Sequence, residues 1–324
     1  MKKKRFAVSV WILLCLAGLA FMAPVLANER PLLVYFNGRA YFPMLRDHAE
    51  NIFTGQLPTT ADFTDPFVRQ SIKQDGFIID APIRFGYSTI NYATANPSRP
   101  SLTNWLGTDD MGRDVLARLL YGLRVSLLFG VILTALSSAI GIFAGAAQGY
   151  FGGKVDLLTQ RFIEVYTGMP QLFVLIIVYS MIRPSFGTLL AVMLLFSWTS
   201  LVPVVRAEFL KVRKMEYITA ARAMGVSDFS IMTRHILPNA CVAAMAYMPF
   251  ILCGGITALA ALDFLGFGLP PGQPSLGDMI KQGKDNLHAP WIGLSVFGVL
   301  SLLLSSLVFI GDGLRTRLDP RRRQ

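Results

Sequence analysis

Long apolar runs are the feature that most restricts how this chain can fold. They occupy residues 6–26, 125–147, 162–182, 186–205, 240–262 and 291–310. Each has about the 20 residues that an α-helix needs to cross a bilayer. Hydrophobic residues make up 53% of the chain and charged residues only 15%, a balance outside the range of ordinary soluble domains. The sequence therefore predicts an all-α polytopic membrane protein with about six transmembrane helices.

Basic residues indicate the orientation of these spans, because Lys and Arg accumulate in cytoplasmic loops. They cluster at the amino end, between residues 206 and 238, and after residue 314. An even number of spans puts all three clusters on one side of the membrane, which predicts that both termini are cytoplasmic. A nucleic-acid-binding surface is the alternative explanation of the net charge of +10. It is disfavoured because the clusters flank apolar spans.

The first apolar run has a second interpretation, a signal peptide that is removed after export. It follows a basic start at Lys2 to Arg5, and Val25-Leu26-Ala27 resembles a cleavage site. Signal cores are about 7–15 residues long, and the run at 6–26 exceeds that length. We therefore expect residues 1–27 to remain as the first transmembrane helix.

Residues 28–123 are too many for a simple connection, and they contain nearly equal numbers of acidic and basic residues. The segments 31–36 and 77–87 are rich in β-branched and aromatic residues, and Asn37-Gly38 is a turn signal. This pattern predicts a small periplasmic insertion with β-structure, inside which we expect four aromatic side chains to pack: Tyr35, Phe36, Tyr41 and Phe42. All three cysteines lie in predicted spans, so we expect no disulfide in the insertion.

The end of this loop, residues 112–123, has an amphipathic pattern. Apolar residues share one helical face, opposite Arg113, Asp114 and Arg118. The pattern predicts an interfacial helix along the outer membrane surface, beside the mouth of a pore. The domain organisation that we predict is a first helix at 1–27, the insertion with its interfacial helix at 28–123, a core at 124–313 and a basic tail at 314–324.

A polar segment at 216–240, "EYITAARAMGVSDFSIMTRHILPNA", interrupts the apolar runs within the cytoplasmic loop 206–238. Its alanines favour a helix, Gly225 suits a left-handed helix end, and Ser227 suits the start of a second helix. A DNA-binding helix-turn-helix would show this pattern, but Pro238 and the next span leave little room for a recognition helix. A solvated helical loop and a docking site for another protein are the other interpretations.

Residues that could carry chemistry are dispersed along the chain. His48, His235 and His288 fall in separate predicted compartments, which disfavours a shared metal site. The sequence has no GxxxxGK[ST] phosphate loop, so we do not expect this chain to hydrolyse ATP. Arg161 and Glu164 are one helical turn apart and are interpreted as a local ion pair. We therefore expect no catalytic residue and no bound metal or cofactor.

Four motifs carry a resemblance to a known family. Thr219-Ala220-Ala221, Gly225 and His235-Ile236-Leu237-Pro238 resemble the EAA loop of bacterial ABC importer permeases, although Thr219 replaces the usual Glu and His235 replaces a frequent Ile. The stretches "LGTDDMGRDVLARLLYGLRVSL" (106–127), "FLGFGLPPGQPSLGDMI" (264–280) and "GDGLRTRLDPR" (311–321) are similar to segments of dipeptide and oligopeptide permeases. The stretch "ANERPLLVYFNGRAYFP" (27–43) and the long loop resemble the Yej-type branch, whose substrates include oligopeptides and microcin C.

The resemblance implies a permease subunit that forms half of a peptide path and binds lipid but no nucleic acid. Its implied partners are a second homologous permease subunit, a cytoplasmic ATPase that uses ATP, and a periplasmic peptide-binding protein. It implies ATPase coupling through Thr219, Ala220, Ala221, Arg222, Gly225, Leu237 and Pro238, and a periplasmic mouth at Asp109, Gly112, Arg113 and Asp114. An ion-coupled secondary transporter is the main alternative. It would need paired intramembrane acids or discontinuous helices at matching positions of two repeats, and the sequence shows no such repeat. A membrane-anchored DNA-binding sensor is a weaker alternative.

The predicted orientation can be tested by chemical labelling. In a variant without Cys15, Cys241 and Cys253, a cysteine at Ser71 should react with an impermeant thiol reagent added to intact cells. A cysteine at Ser227 should react only after the membrane is opened, because the basic clusters place it inside. Labelling of both positions in intact cells would contradict this topology.

Overall fold

Helices account for most of the chain in the computed structural model, which describes residues 2–56, 58–92 and 95–318. The helices are α1 (Lys2–Phe21), α2 (Ala23–Leu26), α3 (Asn51–Thr54), α4 (Pro66–Asp75), α5 (Val115–Phe151), α6 (Gly153–Thr167), α7 (Gln171–Met181), α8 (Phe186–Ser197), α9 (Val202–Val212), α10 (Glu216–Ala223), α11 (Asp228–Ser230), α12 (Leu237–Leu265), α13 (Leu276–Asp285) and α14 (Pro290–Leu318). A 3₁₀ turn lies at Trp198–Ser200 and a π-helical turn at Ile231–Ile236. The strands are β1 (Leu33–Phe36), β2 (Arg39–Tyr41) and β3 (Gly76–Ile79).

Most of the predicted spans appear as long apolar helices. Within the described residues, five stretches are long and apolar enough to cross a membrane: Lys4–Phe21, Val115–Phe151, Phe186–Val212, Asp228–Leu265 and Pro290–Leu318. A sixth exists if α6 and α7, which meet at a bend of 70°, are counted as one span. The all-α polytopic fold class is therefore confirmed.

The predicted third span, 162–182, is the exception, because it is not one straight helix. α6 ends at Thr167 and α7 begins at Gln171. Pro170 explains the break, since it has no N–H for the helical ladder and disfavours helical geometry at Met169. The prediction of a continuous helix over 162–182 is wrong, and the count of six spans holds only if the bent pair is one span.

The predicted fourth span, 186–205, extends to Val212 in three pieces. Its start agrees with the hairpin predicted at Arg183-Pro184-Ser185, because the Ser185 hydroxyl accepts a hydrogen bond from the Thr188 N–H at 3.1 Å. The 3₁₀ turn then separates α8 from α9. At this junction the Leu195 carbonyl accepts a hydrogen bond from the Tyr166 hydroxyl at 2.9 Å.

The chain forms two compact units that interleave in the sequence. The helical unit comprises the described residues of 1–14, 126–270 and 300–324, and the insertion unit comprises residues 15–125 and 271–299. Two buried clusters make the core of the helical unit. One joins α5, α9, α10 and α12 through residues that include Ala146, Tyr150, Val205, Phe209, Ile218, Ile236 and Ala240. The other joins α5, α7, α8 and α12 through Phe129, Leu133, Leu175, Leu189, Val192, Met193, Leu259 and Leu262.

A row of glycines lets α5 approach the segment that contains α9. Gly141, Gly145 and Gly149 recur every fourth residue and so lie on one helical face. A Cβ atom added at Gly141 would lie 2.7 Å from the Trp198 carbonyl oxygen, and one at Gly145 would lie 2.8 Å from the Val202 carbonyl oxygen. Small residues at such spacing allow the close backbone contact that stabilises membrane helix pairs.

The insertion unit contains an antiparallel sheet with the strand order β2-β1-β3. Asn37 and Gly38 both have positive φ and join β1 to β2, as the sequence predicted. A core formed by Val34, Phe36, Phe53, Ala61, Phe63, Val68 and Ile72 packs the sheet against α3 and α4. The predicted β-structure is thus confirmed for 33–36 and shortened to Gly76–Ile79 in the second segment.

The four aromatic residues predicted to pack inside the insertion divide into two pairs. Phe36 is buried, and Tyr41 packs against the core. Tyr35 and Phe42 remain 39% and 50% exposed, so the prediction is wrong for them. The alternation of a strand explains Tyr35, since it faces the side opposite to Phe36 and stacks on Phe77 with ring centroids 5.4 Å apart.

The prediction of a separate interfacial helix at 112–123 is also wrong. α5 begins at Val115 and continues without a break to Phe151. The polar face of this predicted helix was expected to face water, but it is buried: Arg118 has no exposed surface. The amphipathic pattern identified charged residues correctly but could not show that they find partners inside the protein.

Enlarging Gly145 should weaken the contact between α5 and α9. In Gly145→Val the new side chain meets the Val202 carbonyl oxygen and Val205 Cβ, both 2.8 Å from the added Cβ, and such overpacking costs about 1–3 kcal/mol. The matched control is Gly298→Val, a helical glycine whose added Cβ has no neighbour within 4 Å. Thermal unfolding of the purified protein should show a lower midpoint for Gly145→Val than for the control. Equal midpoints would mean that this contact does not stabilise the fold.

Candidate functional site

The 216–238 segment has the helix, turn and helix that its sequence predicted. α10 ends at a left-handed Gly225 with φ of +81°. The Val226 N–H donates to the Ala221 carbonyl at 3.1 Å, and the Gly225 N–H donates to the Arg222 carbonyl at 3.0 Å. This pair of bonds is the Schellman motif, which satisfies the carbonyls at a helix end. A Cβ at Gly225 would have no neighbour within 4 Å, so backbone geometry alone favours glycine here.

The second half of the segment leads into α12 through a π-helical turn. The Ser227 hydroxyl accepts a hydrogen bond from the Ser230 N–H at 3.4 Å and begins α11, as predicted. At the end of the π turn the Leu237 N–H donates to the Met232 carbonyl, five residues back. Pro238 follows and has no N–H to donate. The wider π-type bonding therefore carries the helix up to the proline that starts the next span.

The predicted coupling residues divide into an exposed set and a buried one. Thr219, Ala220, Arg222, Gly225 and Pro238 are exposed, and Leu237 is half-buried. Ala221 is only 5% exposed and faces the chain's own core with Ile218. The small side chain of Ala221 is therefore packed inside the helical unit and does not form part of the exposed surface.

Tyr150, near the end of α5, connects that helix to the 216–238 segment. Its hydroxyl donates to the Asp228 carboxylate and accepts from Arg222 Nη2 at 3.2 Å. The Arg222 guanidinium also lies 5.7 Å from the centre of the Tyr150 ring. Arg213 Nη1 donates to the Tyr150 carbonyl at 2.9 Å. We call these four residues the Tyr150 junction.

Sequence reasoning missed most of the Tyr150 junction. Tyr150 and Asp228 are 78 residues apart, so no local pattern could relate them. Arg213 was interpreted as an ordinary orientation charge, whereas its side chain binds the end of α5. The hydrogen bond to Tyr150 raises the pKa of Arg222.

The residues predicted at the mouth form a buried ion network in the insertion unit. Asp109 Oδ1 accepts the N–H groups of Met111 at 3.0 Å and Arg113 at 2.9 Å, and Oδ2 accepts Arg113 Nε at 2.8 Å. Gly112 completes this tight turn with φ of +81°. A Cβ there would lie 2.5 Å from Asn96 Nδ2, so this position requires glycine for both space and geometry.

Arg118 extends the network to a distant part of the sequence. Its Nη2 donates to Asp278 Oδ2 at 3.1 Å, and its Nε lies 3.4 Å from Asp109 Oδ2 in an ion pair without hydrogen-bond geometry. No sequence pattern indicated that Asp278 belongs to this network, since it lies 160 positions after Arg118. The network therefore ties α13 to the start of α5.

Asp114 caps the first turn of α5. Its carboxylate accepts the Ala117 N–H and Asn104 Nδ2, each at 2.8 Å. Burial raises the pKa of Asp114, and these hydrogen bonds oppose the shift. Burial, followed by the charge of Asp109, raises the pKa of Asp110 as well. Asp109, Arg113 and Asp114 are thus buried within the insertion unit. Their location at a pore mouth stays a prediction.

The sequence also predicted a local ion pair within α6. Arg161 Nη1 lies 2.6 Å from Glu164 Oε2, which confirms the local ion pair. Among the residues that the structure describes, no group of three or more His, Cys, Asp or Glu side chains could hold a metal ion.

The family model of the binding-protein-dependent transport system inner membrane component matches residues 115–324. The chain is 54% identical over 316 residues to the inner membrane ABC transporter permease protein YejE of Escherichia coli (strain K12). This alignment covers 97% of this chain and 93% of that protein. It is 46% identical to the peptidoglycan transport system permease protein YejE of Agrobacterium fabrum, covering 97% and 89%. It is 34% identical to the dipeptide transport system permease protein DppC of Bacillus subtilis, covering 69% and 71%.

A solved structure of the MetNI methionine ABC transporter in an inward-facing conformation has a similar fold. It covers 62% of this chain and 96% of its own, with a TM-score of 0.50 and 16% sequence identity. The predicted resemblance to ABC permeases and to their Yej-type branch is confirmed by these relatives, and the apolar helices agree with a multi-pass inner membrane protein. The chain therefore belongs to the family of binding-protein-dependent transport system inner membrane components, the permease subunits of ABC transporters.

Proposed function

We propose that this chain is one of two homologous permease subunits in an ATP-driven importer of oligopeptides or peptide-like microcins. Relatives named for the transport of dipeptides, oligopeptides and peptidoglycan support this substrate class. In this proposal the chain forms half of the path, binds no cofactor and catalyses no reaction, while a partner ATPase uses ATP. The observation that carries the proposal is the exposed face of α10, which the Tyr150 junction fastens to α5.

The surface proposed for the ATPase is the exposed face of the 216–238 segment. Thr219 and Ala220 are small and exposed, so a partner's backbone can approach closely. Met224 and Phe229 are each 76% exposed and project on either side of the Gly225 turn. Large apolar side chains exposed in a polar segment are typical of an interaction surface, and such side chains often anchor a partner.

Movement at this surface has two direct routes into the spans. The first passes through Tyr150 into α5, because its hydroxyl binds both Asp228 and Arg222. The second passes through the π turn into α12, which begins at Leu237. A rigid segment attached at two points transmits a displacement better than a flexible loop, as a lever between subunits requires.

The proposal also places the remaining parts of the chain. Both termini and the 216–238 segment lie in the cytoplasm, the insertion at 28–123 lies in the periplasm, the spans at 1–27 and 124–313 contact lipid, and 314–324 is a cytoplasmic tail. We propose that the insertion docks the periplasmic peptide-binding protein. The outward-facing aromatic side chains of Tyr35, Phe42 and Phe77, which are 39%, 50% and 50% exposed, support this role.

The coupling role predicts a specific defect in Gly225→Val. A β-branched residue at φ of +81° is strained by about 1–3 kcal/mol, so the turn between α10 and α11 should change shape. Peptide uptake should fall strongly while the amount of complex in the membrane stays the same. Gly225→Asn is the matched control, because Asn adopts the left-handed region readily. Normal uptake and normal substrate-stimulated ATP hydrolysis in Gly225→Val would contradict the proposed coupling.

The docking role predicts the effect of removing the sheet. Replacing residues 31–80 with a short Gly/Ser linker is sterically simple, because the Leu32 N–H donates to the Ile79 carbonyl at 2.9 Å and the ends are adjacent. The bond from the Asn28 N–H to the Ile83 carbonyl at 3.1 Å stays in place. Basal ATP hydrolysis should persist, whereas stimulation by loaded binding protein should weaken. Unchanged stimulation at every binding-protein concentration would show that the sheet is dispensable for docking.

A further inference from the structure

A cavity of about 270 Å³ lies within the helical unit, beside the break between α6 and α7. Its walls come from Gln171 at the start of α7, from the end of α8 with the 3₁₀ turn, and from the middle of α12. Four lining side chains are polar: Gln171, Ser197, Ser200 and Tyr247. Among the described residues, none that lines the cavity carries a formal charge.

Irregular backbone converges on this cavity from three directions. The 70° bend at residues 168–170 precedes Gln171, the 3₁₀ turn at Trp198–Ser200 follows Ser197, and Pro249 lies inside α12 next to the lining residue Phe250. Within a bilayer, a broken helix persists only where it is buried in protein or lines a hydrated cavity. In secondary transporters, which are a different class, discontinuous helices commonly surround the substrate. The position of the breaks therefore indicates a polar site inside the spans.

The polar side chains of the cavity retain capacity for further hydrogen bonds. Gln171 Nε2 donates to the Met193 sulfur at 2.7 Å, and a thioether is a weak acceptor that a carbonyl oxygen can replace. The hydroxyls of Ser197 and Ser200 donate to the carbonyls of Met193 at 2.5 Å and Ser197 at 2.8 Å. Both hydroxyl oxygens keep lone pairs for an incoming N–H group.

We propose that this cavity is a binding site on the translocation path for the main chain of an uncharged peptide segment. The inference rests on the proposed function and deepens it by naming the residues that contact the substrate. A peptide main chain alternates N–H donors and carbonyl acceptors, which match the serine oxygens and the Gln171 amide. The absence of charge in the lining means that the site does not select for charged side chains or termini.

The size of the cavity restricts what it holds at one time. Pockets that enclose a drug-sized ligand have volumes of about 300–1,000 Å³, and this cavity is slightly smaller. It therefore holds a segment of a peptide and not a whole oligopeptide. A site that binds main-chain groups one segment after another accepts many sequences, as an importer of mixed peptides requires.

The first test measures whether peptide protects the cavity. The complete importer, with its ATPase and binding protein, is reconstituted in lipid nanodiscs after removal of Cys15, Cys241 and Cys253, and then receives Ser200→Cys. The probe is a small membrane-permeant thiol reagent, and the ligand is a mixture of random tri- to hexapeptides. Saturating peptide with loaded binding protein should slow the reaction by about threefold or more, as expected when most sites are occupied. The control Ser180→Cys also lies in the helical unit, near the end of α7, but outside the cavity lining, and its rate should not change.

The second test measures the contribution of the amide. Gln171→Leu should lower the rate of peptide uptake about tenfold, since a lost hydrogen bond in a buried site leaves a substrate group unpaired. ATP hydrolysis stimulated by the loaded binding protein should remain. Gln160→Leu, on α6 and outside the lining, is the matched control and should transport normally.

The outcomes separate this inference from the function on which it rests. If the unmodified importer takes up no peptide, the proposed function fails and the inference fails with it. If uptake is normal but the cysteine at 200 is unreactive, or reacts at the same rate with and without peptide, only the inference is overturned. Protection at 200 but not at 180, together with the transport defect of Gln171→Leu alone, supports it.

Discussion

The hydrocarbon core of a bilayer offers no partners for backbone N–H and carbonyl groups, and this constraint governs most of the structure. It explains why the spans are helices, since a helix satisfies its own backbone. It also explains why the irregular places are informative. Where α8 gives way to the 3₁₀ turn, the Leu195 carbonyl accepts the Tyr166 hydroxyl. Outside the predicted spans, the π turn also satisfies its own backbone, because the Leu237 N–H donates to the Met232 carbonyl. Each departure from regular helix lies beside a surface to which we assign a function.

Two kinds of contact hold α5 against its neighbours in the helical unit. The first is the row of glycines at 141, 145 and 149, where α5 meets its neighbours nearly backbone to backbone. The second is the Tyr150 junction, where one hydroxyl group binds partners from both halves of the 216–238 segment. Both lie toward the carboxyl end of α5. In the coupling that we propose, a displacement of α10 would reach a helix of 37 residues through these polar bonds and this tight packing.

The sequence was sufficient for features that depend on local chemistry. Hydropathy located the spans, Asn37-Gly38 located a hairpin, and Gly225 with Ser227 located the turn between α10 and α11. It was insufficient where the partner is far away in the chain. Arg118 has the same hydropathy whether it faces water or Asp278, so the pattern at 112–123 predicted the wrong environment. Pro170 was visible in the sequence, but it lies in a long apolar run that was interpreted as one helix. The bend between α6 and α7 was therefore not predicted.

The ion pair between Arg118 and Asp278 has a consequence for the synthesis of the protein. The 160 residues between them take about 8–32 s to translate at about 5–20 residues per second. During that interval the residues of the first turns of α5 have been made, but the acidic partner on α13 has not. Asp109, whose Oδ2 lies 3.4 Å from Arg118 Nε, precedes α5 and is made before the arginine. Asp109 is therefore available as a local counter-ion for this guanidinium before the last part of the chain has been made.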